Sequence, residues 1–320
     1  MNRTNALTLY AAKLEATEGV DAVPTATADT VALLAPFAPD YDYANKNERA
    51  TQLAGHINGS APLKPTGRVY SWAKSAHLRG TVGAPSLANL PECHPWLVAA
   101  RMAATFDATP GQESVAYTPA SSGAGPYQTL SEYVYEDGLL HRGVAARTDL
   151  KLSFDAGGPL VLEATSQGIY AGVADVAFPT AYAFRQHLPP VAVGIDFSVD
   201  GFAAGIIRKF SLMWGNNIQR RGSARAADGH AGFRIGSRSV SWEVVLEEPT
   251  LGVKDFRATA DQAVDVALSF TVGAEPYNRV QFTSTAGRLQ TPKSGDDSGL
   301  KILTLAGGFY GPTPFTLALK

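Results

Sequence analysis

The sequence predicts a mainly β protein made of two tandem sandwich or barrel domains, each with one short α-helix. Three observations carry this expectation. The 320 residues include 31 glycines and 20 prolines, so turn-forming residues interrupt the chain at short intervals and leave little room for long helices. Between the interruptions, apolar and polar residues alternate with period two, as they do along a strand with one buried face. A short phrase also occurs twice, "RVYSW" at 68–72 and "RSVSW" at 238–242.

In the first half, the strand over 68–78 carries Trp72. The segment 88–104, "ANLPECHPWLVAARMAA", reads as a helix with Asn89 as N-cap and Pro91 in its first turn. Strands are expected over 128–136, 148–154 and 159–165. The clearest is 148–154, "TDLKLSF", in which Leu150, Leu152 and Phe154 share a face against Asp149, Lys151 and Ser153. The second half offers strands over 194–199, 206–214 and 239–247. The last of these sets Val240, Trp242, Val244 and Leu246 on one side and Ser239, Ser241, Glu243 and Glu247 on the other. A second helix over 250–262, opened by Thr250 after Pro249, precedes strands over 266–272, 279–284 and 300–305.

The halves repeat an order as well as a phrase. Each runs from a strand through a long polar, glycine-rich loop to the tryptophan strand. A helix and further strands follow, ending near a Gly-aromatic pair, "SQGIYAG" at 166–172 and "AGGFYGP" at 306–312. A "GH" pair falls in the loops at 55–56 and 229–230. Tandem duplication accounts for this order; two unrelated β-rich domains, each with a core tryptophan, are the alternative. The division expected is residues 1–178, a linker over 179–193 where Pro189 and Pro190 resist helix and central strand, and residues 194–320.

Composition narrows the function classes. Hydrophobic residues make up 45% and charged residues 18%, which suits globular packing. The sequence has no apolar run of membrane-spanning length and its first residues lack a signal-peptide core, so it reads as made in a cytoplasm with no membrane partner. Cys93 is the single cysteine and has no internal disulfide partner. The net charge of −2 divides unevenly, with 12 basic and 17 acidic residues over 1–178 against 15 and 12 over 179–320. The halves, or copies of them, can attract each other.

Candidate chemistry is sparse. The six histidines show no metal-ligand spacing. Cys93 stands beside Glu92 and His94, yet adjacent helical residues point about 100° apart, which favours a packed thiol over a nucleophile. "SSGAGPY" (121–127) follows no strand-to-helix pattern and reads as a surface loop, and "SGDDSG" (294–299) reads as a hairpin turn rather than a calcium loop. No catalytic, cofactor-binding or metal residue is assigned, and no enzyme activity is expected. The stretch 208–238 holds seven Arg or Lys and a single acid, Asp228. With few aromatics for base stacking, it fits an acidic protein surface better than nucleic acid.

The residues also carry a family resemblance. The opening "LYAAKLEATEGVDAVPTATADTVAL" (9–33) resembles the start of phage tail tube proteins, with Lys13, Glu15, Gly19, Asp21, Pro24 and Thr25 in the order of that family's K-x-E-x-x-x-G-x-D-x-x-P-T phrase. The block 135–172 is similar to the family's turn, strand pair and Gly-aromatic end. Residues 244–262 followed by 267–273 are similar to its strand, short helix and next strand.

The resemblance implies two tail-tube-like domains in one chain and a trimer whose rings have six pseudo-equivalent positions, with a hexamer as the alternative. The rings would stack into a hollow tube in the virion tail, assembled in the bacterial host cytoplasm. The partners it implies are the chain itself, a tape-measure protein, a tail terminator, a distal tail protein and DNA in transit without specific binding. The loops 43–67 and 215–236 are then expected to join rings or neighbours. The residues expected at such contacts are Arg49, His56, Lys64, Arg220, Arg221, Arg225, His230 and Arg234, with Trp72 and Trp242 as core strand residues. Three other readings are a tandem carbohydrate-binding or adhesin module, a hydrolase with dispersed carboxylates, and another virion ring protein such as a terminator.

Overall fold

A computed structural model describes residues 8–45, 50–51, 60–61, 66–120, 128–184, 187–226 and 229–320. The fold is mainly β, with two short helices among the described residues and one large antiparallel sheet. The first half contains β1 (Leu9–Leu14), β2 (Asp42–Asn45), β3 (Ala50–Thr51), β4 (Ser60–Ala61) and β5 (Thr66–His77). After α1 (His94–Ala99) come β6 (Met102–Asp107), β7 (Ser114–Pro119), β8 (Leu130–Glu136), β9 (Leu139–Asp155) and β10 (Val161–Asp175). The second half contains β11 (Asp196–Val199), β12 (Ile207–Met213), β13 (Asn216–Gly222), β14 (His230–Arg238) and β15 (Ser241–Glu247). After α2 (Phe256–Asp261) come β16 (Asp265–Val272), β17 (Val280–Leu289), β18 (Lys293–Asp297), β19 (Leu300–Phe309) and β20 (Thr316–Leu319).

Period-two alternation becomes burial. Tyr70, Trp72, Lys74 and Ala76 turn inward along β5, Leu150, Leu152 and Phe154 along β9, and Trp242, Val244 and Leu246 along β15. The two halves also pair their strands alike. The first half runs β1-β8-β9-β10-β5-β2 and the second β11-β16-β17-β19-β15-β12. Numbered by order within each half and setting aside the inserted hairpins, both sheets read 1-4-5-6-3-2. Each half places a hairpin between its second and third strands and a helix after its third.

Registers repeat too. Trp72 lies opposite Ser166 and Trp242 opposite Gly307, so in each half the tryptophan strand pairs with the Gly-aromatic strand. Trp72 meets Tyr170 edge-on at 6.5 Å, and Trp242 stacks on Phe309 at 5.8 Å. The glycines make room for these rings. A Cβ on Gly168 would lie 2.7 Å from Tyr70, and one on Gly307 would lie 2.7 Å from Trp242. At the end of the first strand, Glu15 N–H donates to the Thr129 carbonyl and Asp200 N–H to the Ala267 carbonyl, both at 2.8 Å.

One difference between the halves has a covalent cause. The long, unbroken β9 and β10 correspond to β17 plus β18 and to β19 plus β20. The breaks contain Pro292, and Pro312 with Pro314, which cannot continue a ladder. Counting from the tryptophan level, Lys293 falls where Lys151 stands and Asp297 where Asp155 stands.

Several expectations need correction. The first helix is confined to His94–Ala99 with Cys93 as N-cap, because Pro95 fits only the first turn. Asn89 instead donates to the carbonyls of Val82, Gly83 and Ala84. The second helix begins at Phe256, where the Asp255 carboxylate accepts from the N–H groups of Arg257 and Ala258; Thr250 belongs to a preceding turn. Residues 215–236 are not an open loop, since most of them form the β13–β14 hairpin. The sheet also does not stop at the 179–193 linker: β9 pairs with β12, and β7 pairs with β20.

Candidate assembly interface

The surface of interest is the junction where one repeat meets the other. Its centre is a five-residue antiparallel ladder, Asp155 to Lys151 of β9 against Lys209 to Met213 of β12. The N-terminal part of β9 pairs with β8, and β12 takes over that same edge further along. The inward residues of the ladder complete one shared core. Phe154 stacks on Phe210 at 5.4 Å, and both rings meet Phe270, at 5.4 Å and 4.8 Å. Burying aromatic rings of this size supplies a large part of an interface's apolar free energy. A second ladder joins Val115, Ala116 and Tyr117 of β7 to Leu319, Ala318 and Leu317 of β20.

The β13–β14 hairpin is the third contact. It leaves repeat two and lies on β9 of repeat one. Its base is tied down by polar bonds: Asn216 N–H donates to Asp149 Oδ1 at 2.8 Å, and Asn216 Nδ2 to the Thr148 carbonyl at 2.9 Å. Arg238 donates to Asn216 Oδ1 and to the Ala100 carbonyl, both at 2.7 Å. Burial lowers the Arg238 pKa to about 10 and raises that of Asp149, both directions expected of charges withdrawn from water. Further out, Arg147 of β9 donates to the Gln128 carbonyl at 2.8 Å and lies under the carbonyl of Phe233.

The K-x-E-x-x-x-G phrase sits beside this hairpin, and its role is visible. The buried Glu15 carboxylate accepts from Gly19 N–H at 2.7 Å, Thr129 Oγ1 at 2.5 Å, Ser131 Oγ at 2.8 Å and Ala145 N–H at 2.8 Å. Ala145 has φ 54 in the bulge where β9 bends away from β8. Glu15 thereby holds a strained residue and fixes the turn that places Glu18 against the hairpin. Asp21 Oδ2 accepts from the Tyr133 hydroxyl at 2.6 Å, tying down the next part of the phrase.

A second polar centre lies deeper in repeat one. Glu132 accepts from the hydroxyls of Tyr10 at 2.5 Å, Tyr70 at 2.6 Å and Ser166 at 3.0 Å, and pairs with Lys74. Burial lowers the Lys74 pKa and raises those of both tyrosines. The Lys74 and Glu132 side chains have no solvent exposure, and the matching positions of repeat two hold Val244 and Phe270. A fully bonded buried ion pair specifies one packing arrangement more than it adds stability.

The residues expected at contacts scatter. Arg49, His56 and Lys64 lie outside the described residues. Arg220, Arg221, Arg225, His230 and Arg234 all fall on the β13–β14 hairpin or its tip. Arg221 pairs with Glu18 of the same chain at 3.4 Å, with both side chains partly exposed. Arg234 reaches Gln219 at 3.4 Å, and Arg220 and Arg225 are exposed. His230 is buried with its ring perpendicular to Phe233. Trp72 and Trp242 are 1% and 2% exposed. Cys93 and His94 diverge: the thiol faces the His77 carbonyl at 3.8 Å, whereas His94 Nδ1 meets the Tyr117 hydroxyl at 2.8 Å.

Sequence reasoning singled out Glu15 within its phrase without giving it a role, and missed Lys74, Glu132 and Arg147. A signal existed for Lys74, a charge in phase with Trp72 and Ala76 on an otherwise inward face. No protein-family model matches the chain, and no curated protein sequence matches it either.

Proposed function

We propose that this chain is a structural subunit of a phage tail tube, assembling into stacked hollow rings through which the genome passes, with no chemical step of its own. The observation that carries the reading is the repeated 1-4-5-6-3-2 sheet with a hydrogen-bonded ladder from one repeat to the next. Such a contact joins two like units head to tail, and a head-to-tail contact repeated from copy to copy either closes into a ring or runs on as a filament. Two repeats per chain make a trimer the natural ring, with six pseudo-equivalent positions; a hexamer is the alternative. The resemblance of residues 9–33, 135–172 and 244–273 to tail tube proteins supports the same reading. The exposed Arg220 and Arg225 on the hairpin are then candidates for contacts between neighbours or rings. A tape-measure protein, a tail terminator, a distal tail protein and passing DNA are the partners this function requires.

A glycan-binding role would use exposed aromatic platforms; all four tryptophans, Trp72, Trp96, Trp214 and Trp242, are buried, and the exposed aromatic side chains among the described residues are Tyr41, Tyr182 and Tyr310. The test is electron microscopy of the purified chain at high concentration, with class averages viewed down the particle axis. Rings or tubes with a threefold or sixfold outline are expected. Dispersed two-lobed particles at every concentration would overturn the proposal.

A further inference from the structure

The structure assigns the next contact of the series: the outer edge of β18 is the docking edge for the outer edge of residues 36–40 in a second copy of this chain, with Lys293 opposite Asp40. The inference rests on the ring reading and gives it an address.

The internal junction supplies the template. There, residues 151–155 of β9 receive β12, the second strand of the following repeat. Repeat two has its own version of the receiving segment, because β18 occupies the level of residues 151–155 with Lys293 for Lys151 and Asp297 for Asp155. Among the described residues β18 pairs only with β19, and all five of its residues are exposed. Repeat one has its own version of the inserted strand. Residues 33–45 run antiparallel beside β5, from Leu33 opposite Ala76 to Asn45 opposite Thr66, and among the described residues β2 pairs on that side only. The chain therefore carries one receiving edge and one inserting edge at opposite ends of the repeat order. A second copy satisfies both.

The register follows from the same comparison. Within the chain, Lys151 lies opposite Met213, and Met213 lies opposite Ser241, the residue before Trp242. In repeat one, the residue before Trp72 is Ser71. Extending the β2–β5 register places Asp40 opposite Ser71, and the Asp40 carbonyl accepts from Trp72 Nε1 at 2.8 Å. Asp40 is thus the counterpart of Met213, and the counterpart of Lys151 is Lys293. A lysine meets an aspartate. Pro36 and Pro39 have no N–H to donate, so this ladder is sparser than the internal one and the charged pair takes a larger share in fixing register.

Charge reversal and cross-linking test the assignment in the full chain. Lys293→Glu and Asp40→Lys are each expected to raise the concentration needed for ring assembly by roughly tenfold, and the double variant to recover most of the loss. Sedimentation velocity reads assembly, and far-UV circular dichroism checks that each variant is folded. In a second experiment, Lys293→Cys and Asp40→Cys in one chain should give covalent multimers on oxidation; the native Cys93 is buried and does not compete. Rings that form without cross-linking and ignore the charge reversals would overturn this edge while leaving the ring reading intact. A parent chain that never assembles would overturn both.

Discussion

Replacing Glu15 with alanine tests the account of the K-x-E-x-x-x-G phrase, because one deletion strands four donors. They do not weigh equally. Gly19 is exposed, so water replaces the carboxylate at its N–H, and the Thr129 and Ser131 hydroxyls can rotate to other acceptors. The Ala145 N–H cannot turn, and that residue is 1% exposed. An unpaired buried donor costs about 1–3 kcal/mol, and the cavity and the released bulge bring the expected total to about 4 kcal/mol. Glu15→Gln keeps one acceptor oxygen and turns an NH2 group toward the other donors, so about half that loss is expected.

Asp200 is the internal control, since it ends the first strand of repeat two. Its carboxylate pairs with Lys254 at 2.5 Å, and its side chain is 24% exposed. Water can replace that contact, and Asp200→Ala should cost about 1 kcal/mol. Urea unfolding followed by tryptophan fluorescence, below the concentration for assembly, measures all three variants. Equal losses for Glu15→Ala and Asp200→Ala would refute the role given to Glu15.

His94 gives a pH signature. Burial lowers its pKa from 6.5 to about 4. Between those values the unfolded chain binds more protons, so stability present above pH 6.5 is lost as the pH falls towards 4. The amount is about 3 kcal/mol. Wild type should lose that much more than His94→Leu between pH 7 and pH 4 in urea titrations; parallel losses would show that His94 does not titrate in this way. Gly307→Ala places a Cβ 2.2 Å from the Arg288 carbonyl oxygen, whereas one on Gly252 meets nothing within 4 Å. Thermal unfolding should reveal a loss of about 3 kcal/mol for the first and within about 1 kcal/mol of none for the second. A tolerated Gly307→Ala would contradict the close strand approach at Trp242.

The parts of the fold legible in the sequence are those where one face alone is buried. The strands around Trp72, Leu152, Trp242 and Phe270 announce themselves by alternation. β18 does not, because both of its faces are exposed, and the β13–β14 hairpin is obscured by arginines and glycines on outward positions. β7 and β20 were hidden for another reason: they pair with each other across about 200 residues, and short apolar runs do not disclose such partners. The helix was overextended because 96–104 is apolar apart from Arg101, and a single charged residue does not mark the break at which Arg101 takes φ 62 and β6 begins. At the junction, the charge imbalance between halves pointed to mutual attraction. It could not show that Arg221 meets Glu18 within one chain.

The β7–β20 ladder also bears on synthesis. Repeat one cannot close its β6–β7 edge with its own residues; Leu317, Ala318 and Leu319 close it from roughly 200 residues downstream. On the ribosome, the first half therefore waits through translation of the second with two receptive edges, one at β7 and one at residues 151–155 of β9. Polysomes bring many such nascent chains together, each with an edge suited to a neighbour's later strand. Chain order thus predicts exchange of β12 or β20 between nascent molecules as the misassembly to look for.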